Sequence, residues 1–207
     1  MEEEELKEES QEAESGQHPK RSRFVSFVMG VFEFIKTVAF IVVIAFIIRI
    51  FAIQPFIVEG QSMEPSFANN DYLITEKISY KIHEPTRGDI IIFRPPDNPS
   101  VNYIKRIIGL PGDTIEVKNG SVYVNEERLV ESYLTSNLET KNVKQSTAAV
   151  TVQSGEYYVM GDNREHSRDS REIGAVPKQN ITSRIWFRLL PPNSIKVFAR
   201  VKYETVP

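Results

Sequence analysis

The sequence predicts a mostly β domain, built on an antiparallel or barrel-like sheet, that follows one N-terminal transmembrane helix. Three observations predict it. Phe24 to Val58 is an apolar stretch whose main interruptions are Glu33, Lys36, Arg49 and Gln54. Beyond Gly60 the pattern changes to short runs rich in Val, Ile and Tyr, punctuated by Gly, Pro and Asn. Between two of these runs stands Asn119-Gly120, the pair favoured where a tight hairpin needs positive φ at both central residues.

Met1 to about Gly16 is dominated by Glu and has almost no large apolar side chain to offset the entropy of ordering, so it is expected to be a disordered acidic tail. The basic cluster Lys20, Arg21, Arg23 follows, which makes residues 1–23 the cytoplasmic flank under the positive-inside rule. Residues 24–58 are expected to hold the membrane helix and its exit. A helix over Thr37–Val58 spans roughly 30 Å at 1.5 Å per residue, the thickness of the hydrocarbon layer. Arg49 is then costly inside the bilayer and has to snorkel outward. An earlier start near Phe27 places Arg49 at the outer boundary instead, with Phe51–Val58 already leaving the membrane. A cleaved leader is disfavoured, because the apolar segment is too long and no small-residue cleavage site precedes the folded part.

Residues 59–207 are expected outside the cytoplasm as one β-rich domain. Its strands are Ile90–Phe93, Tyr103–Ile108, Thr114–Lys118, Ser121–Val124, Tyr157–Met160 and Ile185–Leu189. A small insertion is expected at about 114–153, in which Glu131 to Gln153 is polar and weakly patterned and reads as a flap.

Composition removes several functions. A net charge of −3 and a pI near 5.8 give no broad cationic field, so nucleic acid is not an expected partner. The chain has no cysteine, which excludes a disulfide framework, a thiolate zinc site and a cysteine nucleophile. His83-Glu84 and the acidic loop lack metal-ligand spacing, and no cofactor is expected.

Three segments carry chemistry. Gly60-Gln61-Ser62-Met63-Glu64-Pro65-Ser66 places a serine on a turn that Gly60 frees and Pro65 stiffens. In Tyr103-Ile104-Lys105-Arg106-Ile107-Ile108, strand alternation puts Tyr103, Lys105 and Ile107 on one face. A buried lysine there favours its neutral amine, a competent base; an exposed one only protects a strand edge. The segment from Gly161 to Arg171 is densely charged, and Asp162, Asp169, Arg164 and Arg171 can pair among themselves.

Together with Gly88-Asp89-Ile90-Ile91-Ile92-Phe93, these segments resemble bacterial type I signal peptidases, from the membrane helix to near the C-terminus. The resemblance implies a membrane-bound serine endopeptidase that removes signal peptides from exported preproteins, with the signal peptides and the lipid bilayer as partners and the secretion machinery as a further one. It also implies that Ser62 is the nucleophile, that Lys105 is the general base, and that Ser167 hydrogen-bonds the lysine while Asp162 supports the loop. Gram-negative members carry a serine two residues before the nucleophile. Gly60 stands there, as in the Gram-positive branch, which leaves the Ser62 backbone N–H as the oxyanion donor. Val58, Glu59, Tyr103 and Ile104 are the expected lining for small residues before the cut, with the peptide adding to strand edges near Ile57–Gly60 and Tyr103–Lys105. Phe56, Ile57 and Phe67 are expected to hold the catalytic face at the membrane surface. The competing readings are another Ser-Lys protease, such as a self-cleaving repressor type, a His166-based triad with Asp162 or Asp169, and a leader-binding scaffold without catalysis.

Overall fold

The computed structural model describes residues 20–51, 53–134, 139–141, 148–198 and 205–206. The expectation for Met1–Gly16 and the fate of the Arg49 side chain lie outside what is described. Two compact units divide near Ile48 and are treated separately.

The first is helix α1 (Lys20–Phe51), in which Phe24–Ile47 is long and apolar enough to cross a membrane, with mean hydropathy 2.3. At 1.5 Å per residue that segment is about 36 Å long. A helix over Thr37–Val58 is not what forms. The helix stops at Phe51, and Ile53–Ile57 is strand β1. Pro55 gives the physical reason, since inside a helix it removes a hydrogen bond and clashes with the preceding turn at a cost of about 3 kcal/mol. The observed helix starts before Phe27 and ends at Phe51.

The second unit is antiparallel β throughout, which bears out the expected fold class. Its strands and short helices are β2 (Tyr72–Glu76), α2 (Ser79–Ile82), β3 (Ile90–Phe93), β4 (Tyr103–Gly109), β5 (Thr114–Lys118), β6 (Ser121–Val124), β7 (Glu127–Leu129), β8 (Val150–Thr151), β9 (Glu156–Met160), α3 (Ser170–Ile173), β10 (Val176–Pro177), β11 (Ile181–Leu190), β12 (Lys196–Val197) and β13 (Thr205–Val206). One sheet runs β1-β2-β11-β3-β4-β9-β10 with β12 on β11, and the other runs β13-β7-β6-β5-β8. The Asn119-Gly120 hairpin forms as expected: φ is 50° at Asn119 and 73° at Gly120, and Lys118 faces Ser121.

The segment expected to be an insertion therefore builds most of a second sheet. Its inner face, Ile115, Val117, Val122, Val124 and Leu129, buries itself against Ile108, Tyr158 and Met160 of the first sheet. Burial of several such side chains, at about 1.5–3 kcal/mol each, makes it part of the core rather than an appendage.

Two features of the first sheet position the site. Among the described residues strand β1 ends the sheet and pairs with β2 alone. Strand β4 meets β9 only from Arg106 onward, so Tyr103–Lys105 pair with β3 on one side and leave the other edge open.

Candidate active site

The turn after β1 is pinned from below. Met63 and Phe67 are fully buried with Val58, Leu73, Ile90, Ile92, Ile104 and Ile185. Gly60 sits at φ +92°, a left-handed conformation that suits glycine, and its N–H donates to Asn69 Oδ1 at 2.8 Å. Ser62, between these anchors, is half-buried, and its carbonyl accepts from the Asn163 N–H at 3.1 Å. Its own backbone N–H donates to no group among the described residues.

Lys105 comes from the middle of the sheet and is 3% exposed. Its Nζ donates to Ser62 Oγ at 2.8 Å and to the Ile104 carbonyl at 2.9 Å, with the Tyr103 ring centroid at 5.3 Å. Burial pulls its pKa from 10.5 down to about 8, against the raising fields of Asp169 and Asp162 and with help from Arg171. At pH 7 about one amine in ten is then neutral, against about one in three thousand for an unperturbed lysine.

The charged segment from Gly161 to Arg171 pairs differently from the simplest expectation. Arg171 and Asp169 do join, Nε to Oδ1 and Nη2 to Oδ2, both at 2.8 Å. Burial raises the Asp169 pKa, but Arg171, the Gly161 N–H and Ser167 outweigh it and hold the carboxyl below its usual value. Asp162 does not pair with Arg164. It takes a bidentate contact from Arg106 at 2.9 and 2.6 Å, with both side chains buried. Arg164 reaches instead into the polar stretch read as a flap. There it donates to both Glu131 oxygens, to Thr140 Oγ1 at 2.8 Å and to Tyr133 Oη at 3.2 Å. Sequence distance hid these partners, because nothing local marks Glu131 or Thr140 as belonging to this loop.

Ser167 departs from its expected bond to the lysine. Its buried hydroxyl has no hydrogen-bond partner among the described residues, although it lies near enough to Asp169 to favour the anion. Gly161 explains how it is held. A methyl group added there would meet Ser167 Oγ at 2.1 Å and the Ser62 carbonyl at 2.4 Å, so only glycine lets the serine turn and Ser167 close on this backbone. Gly161 was visible in the sequence only as the first residue of a charged segment.

Ser62 and Lys105 open onto a cleft of about 740 Å³. Its walls include Phe56, Ile57 and Glu59 on one side and Tyr103 and Ile104 on the other. Glu59, Tyr103 and Ile104 line this cleft, while Val58 does not: it is 1% exposed, and just past the end of β1 its backbone bonds to Asn70 and Asp71 hold its side chain in the core. Phe67 likewise is buried rather than on the catalytic face. His166 also lines the cleft, but it is exposed and its Nδ1 contacts Asn163 Oδ1 at 3.3 Å.

Residues 31–190 match the family model "Signal peptidase, peptidase S26". The chain is 38% identical over 173 residues to "Signal peptidase I" of Bacillus licheniformis, covering 81% of this chain and 92% of that one. It is 37% identical over 185 residues to "Signal peptidase I S" of Bacillus subtilis (strain 168), covering 85% and 98%. A crystal structure of a signal peptidase I from Enterococcus faecalis is 36% identical and covers 50% of this chain and 97% of that one, with a TM-score of 0.43. The chain belongs to the peptidase S26 family of signal peptidases, membrane-bound serine endopeptidases that cleave signal peptides.

Proposed function

We propose that Ser62 is the nucleophile and Lys105 the general base of this peptidase. The observation that carries the reading is the 2.8 Å contact between Lys105 Nζ and Ser62 Oγ, made by a lysine whose pKa burial lowers to about 8. In its neutral form the amine accepts the Ser62 hydroxyl proton as Oγ attacks the scissile carbonyl. The ammonium then protonates the leaving amine, and the Ser62 ester is hydrolysed by water with the same lysine acting again as base. The Ser62 N–H, which donates to nothing else described, is the oxyanion donor, worth about 3 kcal/mol by analogy with other such donors. Gly60 adds no side-chain donor.

Asp162 supports the site through Arg106 beneath it. Ser167 acts as a positioning group that packs against Gly161 beside the Ser62 carbonyl. The substrate is an extended segment with small residues before the cut, laid along the open edges of β1 and Tyr103–Lys105, with Glu59, Tyr103 and Ile104 in contact. The basic residues before Phe24 support a cytoplasmic N-terminus, a single crossing and an extracytoplasmic β unit. The secretion machinery fits as a neighbour that delivers the precursor.

The test is cleavage of a precursor with an Ala-x-Ala site, in detergent micelles, by wild type and by Ser62→Ala, Lys105→Ala and His166→Ala. The first two variants are expected to be inactive and the third active. An inactive His166→Ala with an active Lys105→Ala overturns the dyad in favour of a histidine base.

A further inference from the structure

Away from the cleft, two adjoining hollows of about 260 and 300 Å³ share Lys77 and Thr182. Lys81 and Lys178 line the first and Arg94 the second. The nearby carboxylates are already engaged. Glu76 pairs with Arg184 and accepts from the Ile78 and Ser79 N–H groups. Glu84 pairs with Lys178, and Asp89 takes Tyr80 and Arg184. The side chains of Lys77, Lys81 and Arg94 make no hydrogen bond or ion pair among the described residues. Three unneutralised cations around two adjoining hollows suit an anionic partner.

The same segment also presents apolar side chains to solvent. Ile78 is 43% exposed and Ile82 70% exposed, interleaved with Lys77 and Lys81 on the short turn containing α2. Cations beside projecting isoleucines suit a surface that is negative at its face and apolar below it, as an anionic bilayer is. Chain connectivity puts that bilayer within reach. Ile53 lies two residues after Phe51, the last residue of α1, and its register partner is Glu76, the residue before Lys77. Two residues extend about 7 Å.

We propose that Lys77, Lys81 and Arg94, with Ile78 and Ile82, form a docking surface for anionic phospholipid headgroups. Binding there fixes the tilt of the β unit on the membrane. The assignment does not depend on the catalytic roles of Ser62 and Lys105.

The chain has no native cysteine, so Ile82→Cys provides a single site for an environment-sensitive fluorophore on the full-length protein. The labelled protein is placed in nanodiscs of phosphatidylcholine alone or with added phosphatidylglycerol. The expected result is a blue-shifted, brighter emission only with the anionic lipid, reversed by high salt. Each cation near such a surface contributes about fivefold, so Lys77→Gln, Lys81→Gln and Arg94→Gln combined lower the docked-to-undocked ratio about 100-fold. A label that stays aqueous in anionic discs overturns the proposal, as does equal insertion by the triple variant. If soluble glycerol phosphate protects the label in phosphatidylcholine discs while anionic lipid does nothing, the hollows bind free phosphate and the bilayer assignment fails.

Discussion

Replacing Lys105 by methionine isolates the cost of burying its ammonium. The folded pKa is about 8 and the ordinary value 10.5, so between these pH values the unfolded chain holds a proton that the folded chain has released. Stability of the wild type therefore rises with pH across this window, by about 3 kcal/mol for a shift of about 2.5 units. Below pH 8 both states are protonated and the full penalty is present; above 10.5 it is gone. Lys105→Met has no group titrating there. It also removes the donor to Ser62 Oγ and Ile104 O, a loss of about 1–3 kcal/mol that stays constant with pH and cancels in the comparison. Urea unfolding of both full-length proteins in nonionic detergent, from pH 7 to 10.5, gives the difference directly. The wild type should gain about 3 kcal/mol on the variant over that range. A difference that stays flat means that Lys105 titrates normally when folded, and refutes the argument from burial.

Other predictions follow from particular contacts. Gly161→Ala forces a methyl group onto Ser167 Oγ and the Ser62 carbonyl; kcat should fall on the order of 100-fold with KM little changed, and stability by about 1–3 kcal/mol, read by steady-state cleavage and thermal melts. Asp162→Asn leaves the Arg106 guanidinium buried without its anion and should cost about 3–5 kcal/mol, whereas Arg106→Met with Asp162→Leu should recover much of that loss in unfolding experiments. Gly60→Ser places a side chain at φ +92° in open space, so it should lower stability by about 1 kcal/mol without raising kcat.

Much of the site was legible in the sequence. The serine turn, the lysine strand and the charged segment each carry their own local signature, and β alternation alone put Lys105 on a face able to be buried. The hairpin at Asn119-Gly120 was legible because its turn chemistry is local. What the sequence hid was non-local. The second sheet joins Glu127–Leu129 to Thr205–Val206 and Thr114–Ile115 to Val150–Thr151, pairings between segments too short to show a strand period. The partners of Asp162 and Arg164 lie on other strands and loops, so a loop rich in both charges looked self-sufficient. Val58 was misplaced because it follows the end of β1, where its backbone bonds to Asn70 and Asp71 and its side chain packs with Met63, Phe67 and Leu73, partners that nothing local in the sequence marks.

The pH dependence of kcat/KM for an Ala-x-Ala precursor tests the central claim most directly, because it reports the ionisation of the base in the free enzyme. The account predicts a rise of tenfold per pH unit that levels off near pH 8, with the levelling abolished along with activity in Lys105→Ala. A rise that continues unbroken toward pH 10.5 contradicts it, as that is the profile of a solvated lysine rather than one buried against Ser62.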